Sequence, residues 1–170
     1  MTANPFAWTF RAQFLTGFAL CVALLAYALY VQFGMLMMPC PLCILQRIAF
    51  AAMGVVFLVG GLHAPKGRVG RAIYGLLAFI PAAAGAGVAA RHVWLQSLPP
   101  GDVPLCTSMG LEYMVESMGP LAALAKVLEG SGECAKVDWT FLGLSMPAWT
   151  LAWFIGLGLG ALWAGWRRRR

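Results

Sequence analysis

Charge is what this sequence has least of. Asp, Glu, Lys and Arg together make up 11% of 170 residues, where a soluble domain carries about 25%. So few charges cannot cover a globule in water. The chain is also 61% hydrophobic, with a mean hydropathy of +0.78. Its length allows one compact unit and no separate soluble domain of normal size. Acidic residues are the scarcest, and all six (Asp102, Glu112, Glu116, Glu129, Glu133, Asp138) fall between the third and fourth apolar segments. A basic patch interleaved with aromatics is missing too. The net charge of +6 therefore argues membrane orientation and no nucleic-acid partner. There is no internal repeat, and no low-complexity stretch beyond the arginines at the C-terminus.

Long apolar runs are present instead. A spanning helix needs about 20 mainly apolar residues, and residues 14–33, 42–62, 72–90 and 146–166 each supply them. Runs of that length exclude a β-barrel, whose strands alternate over about 10 residues. The first run is too long for the core of a signal peptide, and no small-residue cleavage site follows it, so it reads as a retained helix. The expectation is an all-α membrane four-helix bundle, a single integral domain over residues 1–170.

The Lys/Arg bias sets its orientation. Arg11, the loop residues Lys66, Arg68 and Arg71, and the tail Arg167 to Arg170 belong on the cytoplasmic side. The uncharged link at 34–39 and the mainly acidic link at 92–145 then lie outside, giving an N-in, C-in topology. After Pro120, the residues Leu121, Leu124, Ala125 and Leu128 recur at helical spacing. They predict a short amphipathic surface helix, lying on the membrane or packed on the bundle. Trp139, Phe141, Trp149 and Trp153 suit an interfacial aromatic belt. The small residues at 82–87, and Gly156 with Gly160 at GxxxG spacing, predict close helix contacts.

Five cysteines carry the chemistry. Cys21 lies mid-span and reads as an inert small hydrophobe. Cys40, Cys43, Cys106 and Cys134 all fall on the outer side, where disulfides persist. In Cys40-Pro41-Leu42-Cys43 the two prolines at 39 and 41 hold the start of the second helix. Cys43 thus sits near the unpaired N–H groups and positive dipole end of its first turn. Arg47 follows by four residues on the same face. A charge in apolar surroundings is expensive and points to function. It favours a thiolate, and it can hold an anionic reduced cofactor. A snorkelling anchor is the bland reading of Arg47. Zinc on four cysteines is a rival, but the second pair lacks CxxC spacing. Two structural disulfides are another, although a CxxC ring closes almost no chain entropy. A substrate transporter fits least, since no span carries a mid-membrane acid.

At these residues the chain resembles the DsbB family of disulfide bond formation proteins. The likeness runs through Pro39 to Arg47, Ala64-Pro65-Lys66, His92 with Leu95-Gln96, Cys106, Ser131 to Cys134, and Trp139 to Trp149. Vitamin K epoxide reductase relatives are similar in chemistry, but there the loop pair precedes the membrane CxxC. The resemblance implies a bacterial inner-membrane oxidoreductase that reoxidises a periplasmic DsbA-like thiol oxidase. Electrons then pass to a membrane quinone, ubiquinone in preference to menaquinone, with no metal. By the same resemblance the partner attacks Cys106, and Cys134 is its loop partner. Cys40 exchanges with that pair, through a transient Cys40–Cys134 bond. Cys43 delivers electrons to the quinone, with Arg47 and His92 beside it. Family members often carry an acid just before this arginine. Here Gln46 stands there, and a salt bridge to Arg47 is lost.

Overall fold

The computed structural model describes residues 9–99, 111–129, 132–135 and 140–167. Four long helices form the body: α1 (Phe10–Gly34), α2 (Pro41–His63), α3 (Arg68–Gln96) and, after shorter elements, α7 (Met146–Trp166). Each is long and apolar enough to cross a membrane. Side chains such as Tyr30, Val55, Ile80 and Leu159 point outward from them. Lipid tolerates such a surface, and the helices satisfy their own backbone groups within it. The protein is an all-α membrane four-helix bundle.

Local chemistry sets the helix ends. Thr9 caps α1, its hydroxyl accepting from the Ala12 amide at 3.3 Å. Cys40 is the N-cap of α2 and Pro41 its first residue, where a fixed φ and a missing N–H cost nothing. At the other end Ala64 adopts a left-handed conformation, φ 41°, and its amide closes on Gly60 O at 2.9 Å. Pro65 follows and cannot continue the helix. The third helix outruns its apolar stretch at both ends, through Arg68 and Arg71 and again through Arg91 and Gln96. Hydropathy detects the buried middle of such a helix and not its polar ends. Pro81 lies inside α3 without ending it.

The core is aromatic. Phe50 stacks on Phe154 with ring centroids 3.9 Å apart, and Phe14 meets Phe57 edge-on at 5.2 Å. Cys21 is buried among them, in the role of a small hydrophobe. The tightest approach joins α3 to α7. A Cβ on Gly75 would stand 2.8 Å from the Ala161 carbonyl oxygen and 3.3 Å from Gly165 Cα. The predicted GxxxG pair is not part of it. Gly156 and Gly160 are exposed, with nothing near a added Cβ. The contacting stripe is Phe154, Leu157, Gly158, Ala161, Ala164 and Gly165. Sequence spacing identified small residues but not which stripe turns inward.

This contact yields a stability prediction. Gly75→Leu forces a side chain against backbone atoms that cannot rotate away. It should lower stability by about 1–3 kcal/mol, the usual cost of overpacking. Gly87→Leu, which enters open space, should be nearly neutral. Thermal unfolding of both variants in detergent measures the difference, and equal midpoints would remove the packing role of Gly75.

Between α3 and α7 lie α4 (Leu111–Met118), α5 (Pro120–Glu129), α6 (Gly132–Ala135) and a hairpin of β1 (Thr140–Phe141) and β2 (Leu144–Ser145). The hairpin turn is Leu142-Gly143, with φ 52° and 77°. Two positive φ values in succession suit the right-handed twist of a tight hairpin, and glycine supplies one without strain. Nothing in the apolar periodicity announced these strands. The predicted surface helix is α5. It packs inward through Ala123 and Val127, while Leu121, Leu124 and Leu128 stay exposed. Arg91 of α3 holds its C-terminal end, donating from Nε to Leu128 O and from Nη2 to Glu129 O, each at 3.1 Å. The same guanidinium lies over the Trp94 ring, 4.1 Å from its centroid. Those bonds satisfy carbonyls that a helix end leaves without partners.

Candidate active site

The amino end of α2 organises the site. Ser, Thr, Asp or Asn usually fills an N-cap, but here a sulfur does. Cys40 Sγ accepts from the Cys43 amide at 3.4 Å. That bond turns the Cys40 side chain back over the first helical turn, so the two sulfurs lie 3.1 Å apart. Both residues are half-buried thiols. The motif therefore places two sulfurs within reach of a bond through a helix cap, a role that spacing alone did not reveal.

His92 of α3 approaches from the other side. Its Nε2 lies 3.9 Å from Cys40 Sγ, and its Nδ1 lies 3.1 Å from Gln46 Nε2. Thr150 of α7 in turn meets Gln46 Oε1, and its hydroxyl also lies 2.9 Å from Pro147 O. His92 and Gln46 are both buried, where a polar side chain must be hydrogen-bonded. The chain Thr150–Gln46–His92–Cys40 meets that need and ties α7, α2 and α3 together. Gln46 faces His92, away from Arg47, because successive residues on a helix point about 100° apart.

Arg47 faces α1 instead. Nη1 donates to Gln32 Oε1, and Nη2 donates to Ala28 O at 3.1 Å. Neither partner is marked in the sequence, since a contact across two helices leaves no local pattern. Arg47, Cys40, Cys43, Gln46 and His92 all line one cavity of about 770 Å³. Its other walls are largely apolar, among them Leu24, Val31 and Phe50 of α1 and α2 and Trp149 and Trp153 of α7. Trp149 is steadied by the hairpin, its Nε1 donating to Phe141 O at 3.0 Å. A cavity of this size suits a small organic ligand, for which about 300–1,000 Å³ is usual. Cys40, Cys43, Gln46, Arg47 and His92 supply polar groups to it.

Cys134 of α6 is buried on the far side of the CxxC. It belongs to an apolar cluster with Leu42, Leu95, Ala123 and Val127, and Cys40 packs against that cluster. The short helix α6 packs on α3, which carries His92. The structure thus brings Cys40, Cys43, Cys134, Arg47 and His92 to one end of the bundle. Cys106 lies outside the described residues, as does Trp139.

The family model of disulfide bond formation protein DsbB matches residues 10–164. The chain is similar to disulfide bond formation protein B of Xanthomonas axonopodis pv. citri (strain 306), with 54% identity over 167 residues, covering 98% of this chain and 96% of the relative. It is similar in the same way to the protein of that name from Xylella fastidiosa (strain 9a5c), with 47% identity and the same coverage.

Proposed function

Because this chain belongs to the DsbB family of membrane proteins that act in disulfide bond formation, we propose that it is a protein-dithiol:quinone oxidoreductase of the bacterial inner membrane. It reoxidises a periplasmic thioredoxin-fold thiol oxidase and passes the electrons to the quinone pool. The carrying observation is the Cys40–Cys43 pair at the mouth of the 770 Å³ cavity, with Cys134 packed close behind. Both termini lie in the cytoplasm, where the Lys/Arg bias puts them. The cysteine-bearing end then faces the periplasm.

The steps balance as thiol–disulfide exchanges. A thiolate of the partner attacks Cys106 of a Cys106–Cys134 disulfide, and the Cys134 thiolate leaves. The second partner thiol then releases Cys106 as a thiol and closes the partner's own disulfide. Cys134 thiolate passes the reducing equivalents on by attacking Cys40 of a Cys40–Cys43 disulfide. Cys106 resolves that Cys40–Cys134 bond, restoring the loop disulfide and leaving Cys40 and Cys43 reduced. The Cys40–Cys43 dithiol then gives up two electrons and two protons, which a quinone held in the cavity would accept. Cys43 faces the cavity and is the donor. Arg47, with Gln32 and Ala28 occupying two of its five N–H groups, directs others at a carbonyl oxygen. The polar end of the cavity fits a ubiquinone or menaquinone head, and ubiquinone is the one proposed. No resident metal is required.

Trapping thiols in purified, reduced protein with and without added quinone tests the reading. Reoxidation of Cys40 and Cys43 only when quinone is present supports it. Thiols that ignore quinone would sink it. Arg47→His is expected to raise the quinone KM about tenfold or more, the worth of a charge-assisted hydrogen bond, with a smaller effect on kcat. An unchanged KM removes Arg47 from the quinone site.

A further inference from the structure

Cys40 Sγ, Cys43 Sγ and a ring nitrogen of His92 all lie within 4.8 Å of one another. The pairs are close individually, 3.1 Å between the sulfurs and 3.9 Å from Cys40 Sγ to Nε2. In the proposed turnover this arrangement exists only while the two cysteines are reduced. We propose that the reduced Cys40–Cys43 pair and His92 form a binding site for a thiophilic divalent cation such as Zn²⁺ or Cd²⁺, which holds the protein in its dithiol state. The site rests on the reduced state of the proposed cycle, but its occupation needs no quinone.

Three observations support it. First, the donor set is right. Two thiolates and an imidazole are preferred ligands of such cations, with metal–ligand distances of about 2.0–2.3 Å, and sulfurs and nitrogen this close need only small shifts to converge. Three protein ligands leave a fourth place for water, opening on the cavity.

Second, the imidazole has behind it a partner able to give the support that metal-bound histidines usually have; as it stands, Gln46 Nε2 donates to Nδ1, which leaves the proton on Nε2. Binding through Nε2 requires the proton on Nδ1, facing Gln46. Half a turn of the Gln46 amide presents Oε1 to that proton and the amide nitrogen to Thr150 Oγ1. The Thr150 proton then goes to Pro147 O, already 2.9 Å away. An acid at position 46 would hold the imidazole in one way only, whereas the amide serves both tautomers.

Third, the charge balances. Each thiol gives up its proton to water as its sulfur bonds the cation, and no electron moves. Two thiolates and a dipositive ion sum to zero, so the occupied centre sits against apolar walls without the cost of an unpaired buried charge.

The test uses the full-length protein in detergent, reduced with a phosphine, freed of reductant and kept anaerobic. Zn²⁺ is the probe, and Co²⁺ its spectroscopic stand-in. The expected result is one cation per chain in a Cys106→Ser/Cys134→Ala background, with a sulfur-to-cobalt charge-transfer band. Binding should vanish in Cys43→Ser and after oxidation of the thiols. It should weaken about tenfold in Gln46→Ala, as for loss of a partner behind a ligand. In unsubstituted protein, Zn²⁺ should slow quinone-driven reoxidation, and a chelator should restore it. Absence of stoichiometric binding by the reduced protein overturns the proposal, as does binding that survives Cys43→Ser or needs Cys106 and Cys134. Quinone-driven reoxidation in metal-free buffer is read separately, so failure of the cation site leaves the oxidoreductase reading standing.

Discussion

Serine in place of Cys43 is expected to abolish quinone reduction, lowering it about a thousandfold or more. That is the scale of loss when an enzyme's reacting nucleophile is removed. A hydroxyl neither ionises as a thiol does nor closes a disulfide. The fold should survive, for a reason visible in the cap. Position 43 contributes its backbone amide to Cys40 Sγ, and serine keeps that amide. The side chain is only half-buried, so little packing is lost. The variant should therefore unfold near the wild-type temperature while quinol formation, followed by ultraviolet absorbance, disappears. Wild-type quinol formation in Cys43→Ser would remove this residue from the reaction.

The sequence announces the helices more fully than the site. Four apolar runs are enough to imply a bundle, because lipid requires each spanning segment to satisfy its own backbone. The CxxC and Arg47 are equally visible, being one turn apart on one helix. What joins elements far apart in the chain is not visible. Thr150 and Gln46 are separated by 104 positions, and Gln46 and His92 by 46. None of the three belongs to a period that marks it as a partner. Gln46 and Arg47 are adjacent yet meet different helices, because neighbours in sequence diverge around a helix. Gly156 and Gly160 went astray for a related cause. Helix spacing fixes which residues share a stripe, but only packing decides which stripe faces inward. The sulfur cap at Cys40 was hidden by its residue type, since cysteine is not among the residues by which N-caps are recognised.

Loss of Cys134 should divide the cycle into its two halves. The residue is buried beside Leu42 and Leu95, in the cluster that Cys40 also contacts. No other described cysteine stands on that side of the CxxC, since Cys21 is enclosed in the aromatic core. If electrons enter through Cys134, then Cys134→Ala should reduce turnover with the partner oxidase about a thousandfold or more. Cys106→Ser should do the same. Yet Cys40 and Cys43, reduced chemically, should still be reoxidised by quinone in Cys134→Ala at close to the normal rate, because Cys134 is not among the residues that line the cavity with Cys43 and Arg47. Alanine is the better replacement, as serine would put a hydroxyl into an apolar cluster at a cost of about 1–3 kcal/mol. Stopped-flow measurement of each half-reaction separates the two effects. Equal loss in both would mean that Cys134 holds the CxxC in place structurally. Normal turnover with the partner would mean that electrons reach Cys40 by a route that bypasses Cys134.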